Sequence, residues 1–195
     1  MARTTGSRAT ITGPLIRDKA RRLFARQGYA AVSMRQIAAA VGVQAGTLYS
    51  YTPDKQALLA ELLESHMQDL LAAWSDDAAA DPLARLERFV RFHIAFSLDH
   101  SDAVFLSYME LRNLTPGNFA RIADLRGRYE AALEDILRDG IAAGRMRIED
   151  PKLTTLALIA MLTGVTNWYR EGGRLDRARI AQIYWGLAQG AVGAA

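Results

Sequence analysis

A chain of 195 residues, half of them apolar, is long enough to bury a core, and with no cysteine it has no disulfide, thiolate metal site or thiol nucleophile. Its net charge of +3 is uneven: residues 1–60 hold nine Lys/Arg against two acids, a net +7, and the remainder holds 15 against 19, a net −4. A basic head on an acidic body suits a polyanionic partner, and the lack of any membrane-length apolar run or signal-peptide core predicts a cytoplasmic protein that spans no membrane.

The apolar period is helical along the whole chain, which predicts an all-α fold. Ile16, Ala20, Leu23 and Phe24 make one helical stripe, and Gly28 is placed as its left-handed stop. Ser33 and Gln36 have the spacing of a capping box, and Val32 and Ile37 that of a hydrophobic staple. They predict a helix that Val41-Gly42-Val43 breaks early, with a third helix over Gln44 to Ser50. Asp54 caps a long amphipathic helix bearing Leu58, Leu59, Leu62, Leu63, Met67, Leu70 and Leu71. Asp81-Pro82 starts the next, and a shorter one covers Asp102 to Leu111. Thr115-Pro116 opens a helix that Gly140 and Gly144 end, Asp150-Pro151 opens one that Gly172-Gly173 ends, and the last runs from Asp176 to Val192. The expectation is about nine helices joined by short turns.

Residues 33–52 therefore read as helix, glycine turn, helix, the DNA-binding supersecondary unit. Ile37, Ala38 and Val41 turn inward, and Val43 and Leu48 anchor the second helix. Gln44, Ala45, Thr47, Tyr49 and Ser50 face out, where small and hydrogen-bonding residues can enter a major groove. Arg3 and Arg8 have the charge for a minor-groove arm, although an inert tail is the plainer expectation.

The run from Phe24 through Gly28-Tyr29, Val32-Ser33, Ile37-Ala38, Val41-Gly42-Val43, Gly46-Thr47-Leu48-Tyr49 and Lys55 to Leu58-Leu59 closely resembles the TetR/AcrR family of one-component regulators. The resemblance implies a DNA-binding domain over 1–55 and a ligand-binding and dimerisation bundle over 56–195. It also implies an omega-shaped homodimer joined through the last two helices, bound to double-stranded operator DNA and released by a small effector. Position by position, it implies phosphate or base contacts from Thr47 and Tyr49, base-facing positions at Gln44 and Ala45, and a phosphate contact from Lys55. Ser33, Arg35, Ser50 and Tyr51, whose side chains can donate to phosphates, complete the candidate DNA-binding set. The chain departs from the family in two places. Ser50-Tyr51-Thr52 replaces a Tyr-His-Phe run, so Thr52 is expected to fill an apolar slot poorly, and Gln44 replaces a serine-type cap.

Further on, Tyr108-Met109-Glu110-Leu111-Arg112-Asn113-Leu114, Leu125-Arg126 with Tyr129, and Asn167-Trp168-Tyr169-Arg170 resemble the branch of that family that senses acyl-CoA thioesters in lipid and steroid breakdown. The resemblance implies an effector with a greasy acyl part and a polyanionic CoA part. Phe105, Tyr108, Met109, Leu125, Tyr129, Met161 and Trp168 are the candidates to line an apolar cavity, although plain core is the more common role for such a stripe. Arg112, Arg126 or Arg170 are the candidates for phosphates or a carbonyl. A drug-like hydrophobic effector is the alternative, and a helical carrier without DNA function a more distant one. No enzyme and no cofactor are expected, since G-x-S-x-G, a phosphate loop and a βαβ unit are missing. No metal is expected either: His93 and His100 are two helical turns apart, too far to chelate together.

Overall fold

The computed structural model describes the backbone of residues 5–194 and the side chains of residues 12–194. Arg3 and the Arg8 side chain, the candidate minor-groove arm, lie outside the described residues. The described chain is helical: α1 (Thr5–Gln27), α2 (Met34–Val41), α3 (Ala45–Tyr49), α4 (Lys55–Ala73), α5 (Pro82–Asp99) and α6 (Ser101–Met109) come first. A 3-10 turn, η1 (Leu111–Asn113), leads to α7 (Pro116–Ala142), α8 (Pro151–Thr163), α9 (Val165–Trp168) and α10 (Arg177–Ala191). Counting the interrupted α8–α9 as one gives nine helices among the described residues, as expected. None is long and apolar enough to cross a membrane.

The helices group into two compact units. The first takes the chain up to Met67 together with Asp102–Ala123. Here α2 packs on α1 and on α3, around Ile16, Ala20, Phe24, Ile37, Ala38 and Leu48, all buried. The helix starts obey local rules. Ser33 N–H donates to Gln36 Oε1 at 2.7 Å and Gln36 N–H to Ser33 Oγ at 3.3 Å, the reciprocal capping box. Val32 and Ile37, the staple pair, are buried. Gly42 ends α2 at φ +77°, and Val43 N–H donates to Ala38 O at 3.0 Å. A Cβ at Gly42 would meet nothing within 4 Å, so glycine is required there by the backbone angle alone.

Thr52 corrects an expectation. It is buried, and its hydroxyl donates to Asp54 O at 3.2 Å, so the slot is filled by a polar side chain that satisfies itself locally. Asp54 then accepts Ala57 N–H at 2.7 Å and starts α4.

The second unit takes Gln68–Ser101 and the chain from Asp124 on. Its centre is α5, against which α8, α9 and α10 pack. Asp81 caps α5, accepting Leu83 N–H at 2.9 Å, ahead of Pro82 at the first helical position. Leu86, Phe89, Val90 and Ile94 bury one side of α5, and Leu133, Ile136, Leu137, Leu158, Leu162 and Ile180 are buried in the same unit. Two helix ends differ from the sequence expectation. Gly140 lies inside α7, where a Cβ would overlap Met146 Sδ; Gly144, at φ +66°, marks the stop. The eighth helix is broken at Gly164, and α9 is a separate single turn.

One charged cluster sits inside this unit. The Arg85 side chain, buried among α5 residues, donates from Nη2 to Asp76 at 2.6 Å and from Nη1 to Asp139 at 2.6 Å. The hydrogen bond from Arg85 holds the Asp76 carboxyl below the usual carboxylate range, with burial opposing it. Losing Asp76 leaves Nε and Nη2 of the buried guanidinium without their acceptor and only the more than half-exposed Asp139 as a partner, whereas losing Asp139 removes one bond. Asp76→Asn should therefore cost about 3 kcal/mol in urea unfolding, the lower end for breaking a buried pair, and Asp139→Asn clearly less. Because the folded pKa is depressed, this stabilisation is present above the ordinary carboxylate pKa and is lost as pH falls through the lowered one. Equal midpoints for the two variants would contradict this.

Candidate nucleic-acid interface

α3 is five residues long, too short to persist alone, so its orientation depends on what it buries. Leu48 is its one fully buried residue. Gln44 caps the start with backbone geometry only, making no side-chain cap bond. The opposite side carries Gln44, Gly46, Thr47, Tyr49 and Ser50, all exposed, with Ala45 half-buried. Tyr49 is 52% exposed, a large aromatic left in water. Ser50 Oγ donates to Thr47 O at 2.6 Å, so its proton is used within the helix. α3 has no charged side chain, so any cations on this surface come from its neighbours. Arg35 is exposed at the start of α2, and Ser33 beside it is exposed with its hydroxyl committed to Gln36. Tyr51 is 37% exposed, with one ring edge facing Gly13 of α1.

Lys55 is placed differently from the rest of the implied set. Its ammonium donates to Tyr29 O at 2.9 Å and Val32 O at 2.8 Å, with Ala30 O at 3.5 Å. It also stands 4.3 Å from the centre of the Tyr29 ring. Two of the three ammonium protons are taken by the Tyr29 and Val32 carbonyls, and Ala30 O lies at the outer limit for the third. Lys55 thus ties the first turn of α4 to the α1–α2 connection, and a phosphate would compete with the carbonyls for it. Burial raises the Tyr29 hydroxyl above its ordinary pKa, with Asp54 and Glu110 adding to the rise and Gln56 opposing it.

Two residues unmarked by any spacing complete this corner. Glu110, buried at the end of α6, accepts Tyr29 N–H at 3.0 Å. Gln56 donates to Asn113 O at 2.7 Å and to the Tyr29 hydroxyl at 3.4 Å.

The candidate ligand residues fall into both units. Phe105, Tyr108 and Met109 are exposed on α6 and Arg112 is exposed on η1, all in the first unit. In the second unit Leu125 and Tyr129 are buried, Arg126 and Met161 half-buried, and Trp168 and Arg170 exposed. Tyr129 meets His93 Nδ1 at 3.0 Å, and His93 Nε2 meets Thr163 Oγ1 at 2.9 Å. His93 is therefore part of a buried hydroxyl chain, while His100 stacks on Phe96 and meets its carbonyl at 2.9 Å. Trp168 stacks on Tyr184, ring centres 6.4 Å apart. Arg170 donates to Tyr169 O at 2.8 Å.

A braced short helix with an exposed, hydrogen-bonding outer face, in a chain with a basic N-terminal third, defines a helix-turn-helix DNA-binding protein. The chain belongs to the TetR family: residues 16–62 match the bacterial regulatory proteins of that family, and residues 79–192 match the tetracyclin repressor-like C-terminal domain. It is 29% identical over 196 residues, 98% of each chain, to the HTH-type transcriptional repressor KstR2 of Mycobacterium tuberculosis. The solved structure of a bacterial regulatory protein in the tetR family from Rhodococcus RHA1 superposes with a TM-score of 0.90 at 29% identity, covering 95% of this chain and 98% of that one. AibR, solved with isovaleryl coenzyme A and operator DNA, gives a TM-score of 0.80 at 25% identity, covering 90% and 97%. The protein is a TetR-family DNA-binding transcriptional regulator and not an enzyme.

Lys55→Ala leaves at least two buried-side carbonyls without their donor. It should lower the stability of the head by about 1–3 kcal/mol in chemical unfolding. An unchanged unfolding midpoint would mean that the ammonium is not a brace.

Proposed function

We propose that the protein is a homodimeric repressor that lays its two α3 helices in successive major grooves of an operator and lets go when a small effector binds. The observation that carries this is the outer face of α3, where Gln44, Thr47, Tyr49 and Ser50 stand in solvent while Leu48 alone holds the helix down. Residues 1–55 act as the DNA-binding domain, with 33–52 as its reading unit, and 56–195 serve ligand binding and dimerisation. Gln44 and Ala45 face bases; an exposed glutamine can make a bidentate contact to adenine. Ser33, Arg35, Thr47, Tyr49, Ser50 and Tyr51 fix the register on phosphates and sugars, and Lys55 contributes chiefly by holding the fold beneath them. Such a regulator works where the chromosome is, in the cytoplasm.

Dimerisation is supported by apolar surface on the last helices. Leu153 and Leu156 of α8 and Ile183 and Leu187 of α10 are exposed, Leu153 at 63%. Gly186 and Gly190 have open space where a side chain would stand, so a second helix can come close. Four exposed aliphatic side chains on two helices suit burial against a second copy. Leu153→Arg with Leu187→Arg should give monomers by light scattering and weaken operator binding strongly; a stable dimer in the double variant would move the interface elsewhere.

For the effector we favour an acyl-CoA thioester, with Phe105, Tyr108, Met109, Leu125, Tyr129, Met161 and Trp168 as apolar contacts and Arg112, Arg126 and Arg170 for the polyanion. AibR, in whose structure isovaleryl coenzyme A is bound, supports this class. The exposed Arg112 and Arg170 suit a phosphate-bearing ligand better than a neutral drug-like one. Release requires the effector to prefer a head geometry that misses the groove repeat of about 34–36 Å. Linkage then demands that DNA weaken effector binding by the same factor. Titrating a selected operator and a series of acyl-CoA thioesters together tests it. Mutual weakening is the expected result, and independent binding refutes the coupling. In the same assay Tyr49→Ala should weaken all duplexes, whereas Gln44→Ala should alter which sequence is preferred. Unchanged binding in both would remove the operator face.

A further inference from the structure

We propose that Glu110 is a positioning residue for operator binding: its carboxylate, at the end of α6, grips the α1–α2 connection and through it fixes the helix-turn-helix. Tyr29 is the point gripped, and it is held at three separate atoms. Its N–H donates to Glu110 Oε1 at 3.0 Å. Its carbonyl accepts Lys55 Nζ at 2.9 Å. Its hydroxyl accepts Gln56 Nε2 at 3.4 Å.

Two of these grips lead to the segment after α6. Glu110 also accepts Asn113 Nδ2 at 2.5 Å. Gln56 donates to Asn113 O at 2.7 Å, and its own oxygen accepts Thr115 N–H at 3.1 Å and Asn118 Nδ2 at 3.3 Å. The connection that feeds α2 is thus tied to residues 110–118, with Tyr29 and Glu110 81 positions apart in the chain.

The electrostatics of the Glu110 site argue against a filler role. Glu110 is only 5% exposed, and its Oε1 would lie 3.8 Å from a Cβ at Gly28, the φ +82° residue that ends α1. A helix C-terminus carries partial negative charge, so an anion there is unfavourable on its own. Burying a carboxylate costs more than burying an apolar side chain of the same size unless its bonds are satisfied. Core formation alone gains nothing from an acid at this place; a directional grip on the Tyr29 amide does.

The same stretch bears Phe105, Tyr108, Met109 and Arg112, so a ligand that displaces the end of α6 pulls on Tyr29 through Glu110. That transmission rests on the effector reading above; the positioning role does not.

The test uses the full-length protein, a duplex selected by the wild type from a random-sequence pool, and an unrelated duplex at low salt. Glu110→Ala should weaken the selected duplex about tenfold, within the usual range for coupling between sites, and leave the unrelated duplex unchanged. Glu110→Gln keeps an oxygen for the Tyr29 amide and should bind the selected duplex nearly as the wild type does. Glu110→Ala that binds normally, loses both duplexes alike, or is not rescued by glutamine overturns the proposal. Should Glu110→Ala fail to fold, Glu110→Met, which fills the same space without an acceptor for the Tyr29 amide, carries the same comparison with the same outcomes. With an acyl-CoA thioester that releases the wild type, release should be several-fold smaller in Glu110→Ala; undiminished release overturns the transmission. A wild type that selects no duplex would instead sink the operator reading itself.

Discussion

A helix of five residues cannot hold itself, and the whole operator face depends on how α3 is held. Leu48 is pinned in the core of the first unit, and Gly42 supplies the positive φ that turns α2 into α3. α2 in turn is fixed at its start by the Ser33–Gln36 box and the Val32–Ile37 staple. Each support is small, and together they leave Gln44, Thr47, Tyr49 and Ser50 free to meet another molecule. A rigid base suits the proposed base-reading role of these residues, since a mobile helix would spend the gain of each hydrogen bond on ordering.

Beneath that face lies a polar corner built around Tyr29. An ammonium, a carboxylate and an amide converge on one residue, and each charge is answered by hydrogen bonds on the spot. This is an unusual place to concentrate polar groups, because an apolar plug would stabilise the junction more simply. Directional bonds fix an angle that apolar packing leaves soft. In a dimeric reader that angle decides whether two helices match the groove repeat. The proposed operator reading gives the uncharged residues on α3 and the basic ones around it different tasks: general attraction to any duplex from the charge of the first 60 residues, and discrimination by the neutral face.

The parts of the fold legible in the sequence are those set by short-range rules. The capping box, the staple, the Gly28 and Gly42 stops and the Asp-Pro helix starts depend on residues within one turn of each other, so spacing reveals them. What escaped was set by tertiary contact. Lys55 reads as a surface cation until its carbonyl partners, 23 to 26 positions earlier, are in place. Glu110 and Tyr29 are 81 positions apart and nothing periodic links them. Gly140 looks like a helix stop, yet it is glycine because Met146 packs against it. Thr52 looks too polar for its slot until its hydroxyl finds Asp54 O. The outward face of α3 was readable because exposure on a short amphipathic helix follows from period alone; the brace behind it was not.

The most direct measurement of the central claim is chemical protection of guanine N7, which opens only to the major groove, on a duplex selected by the purified protein. The account predicts two protected patches about 10 base pairs apart, centre to centre, or a multiple of that, and their loss when Thr47 and Tyr49 are both replaced by alanine. A single patch, or binding that leaves every guanine N7 reactive, would contradict it.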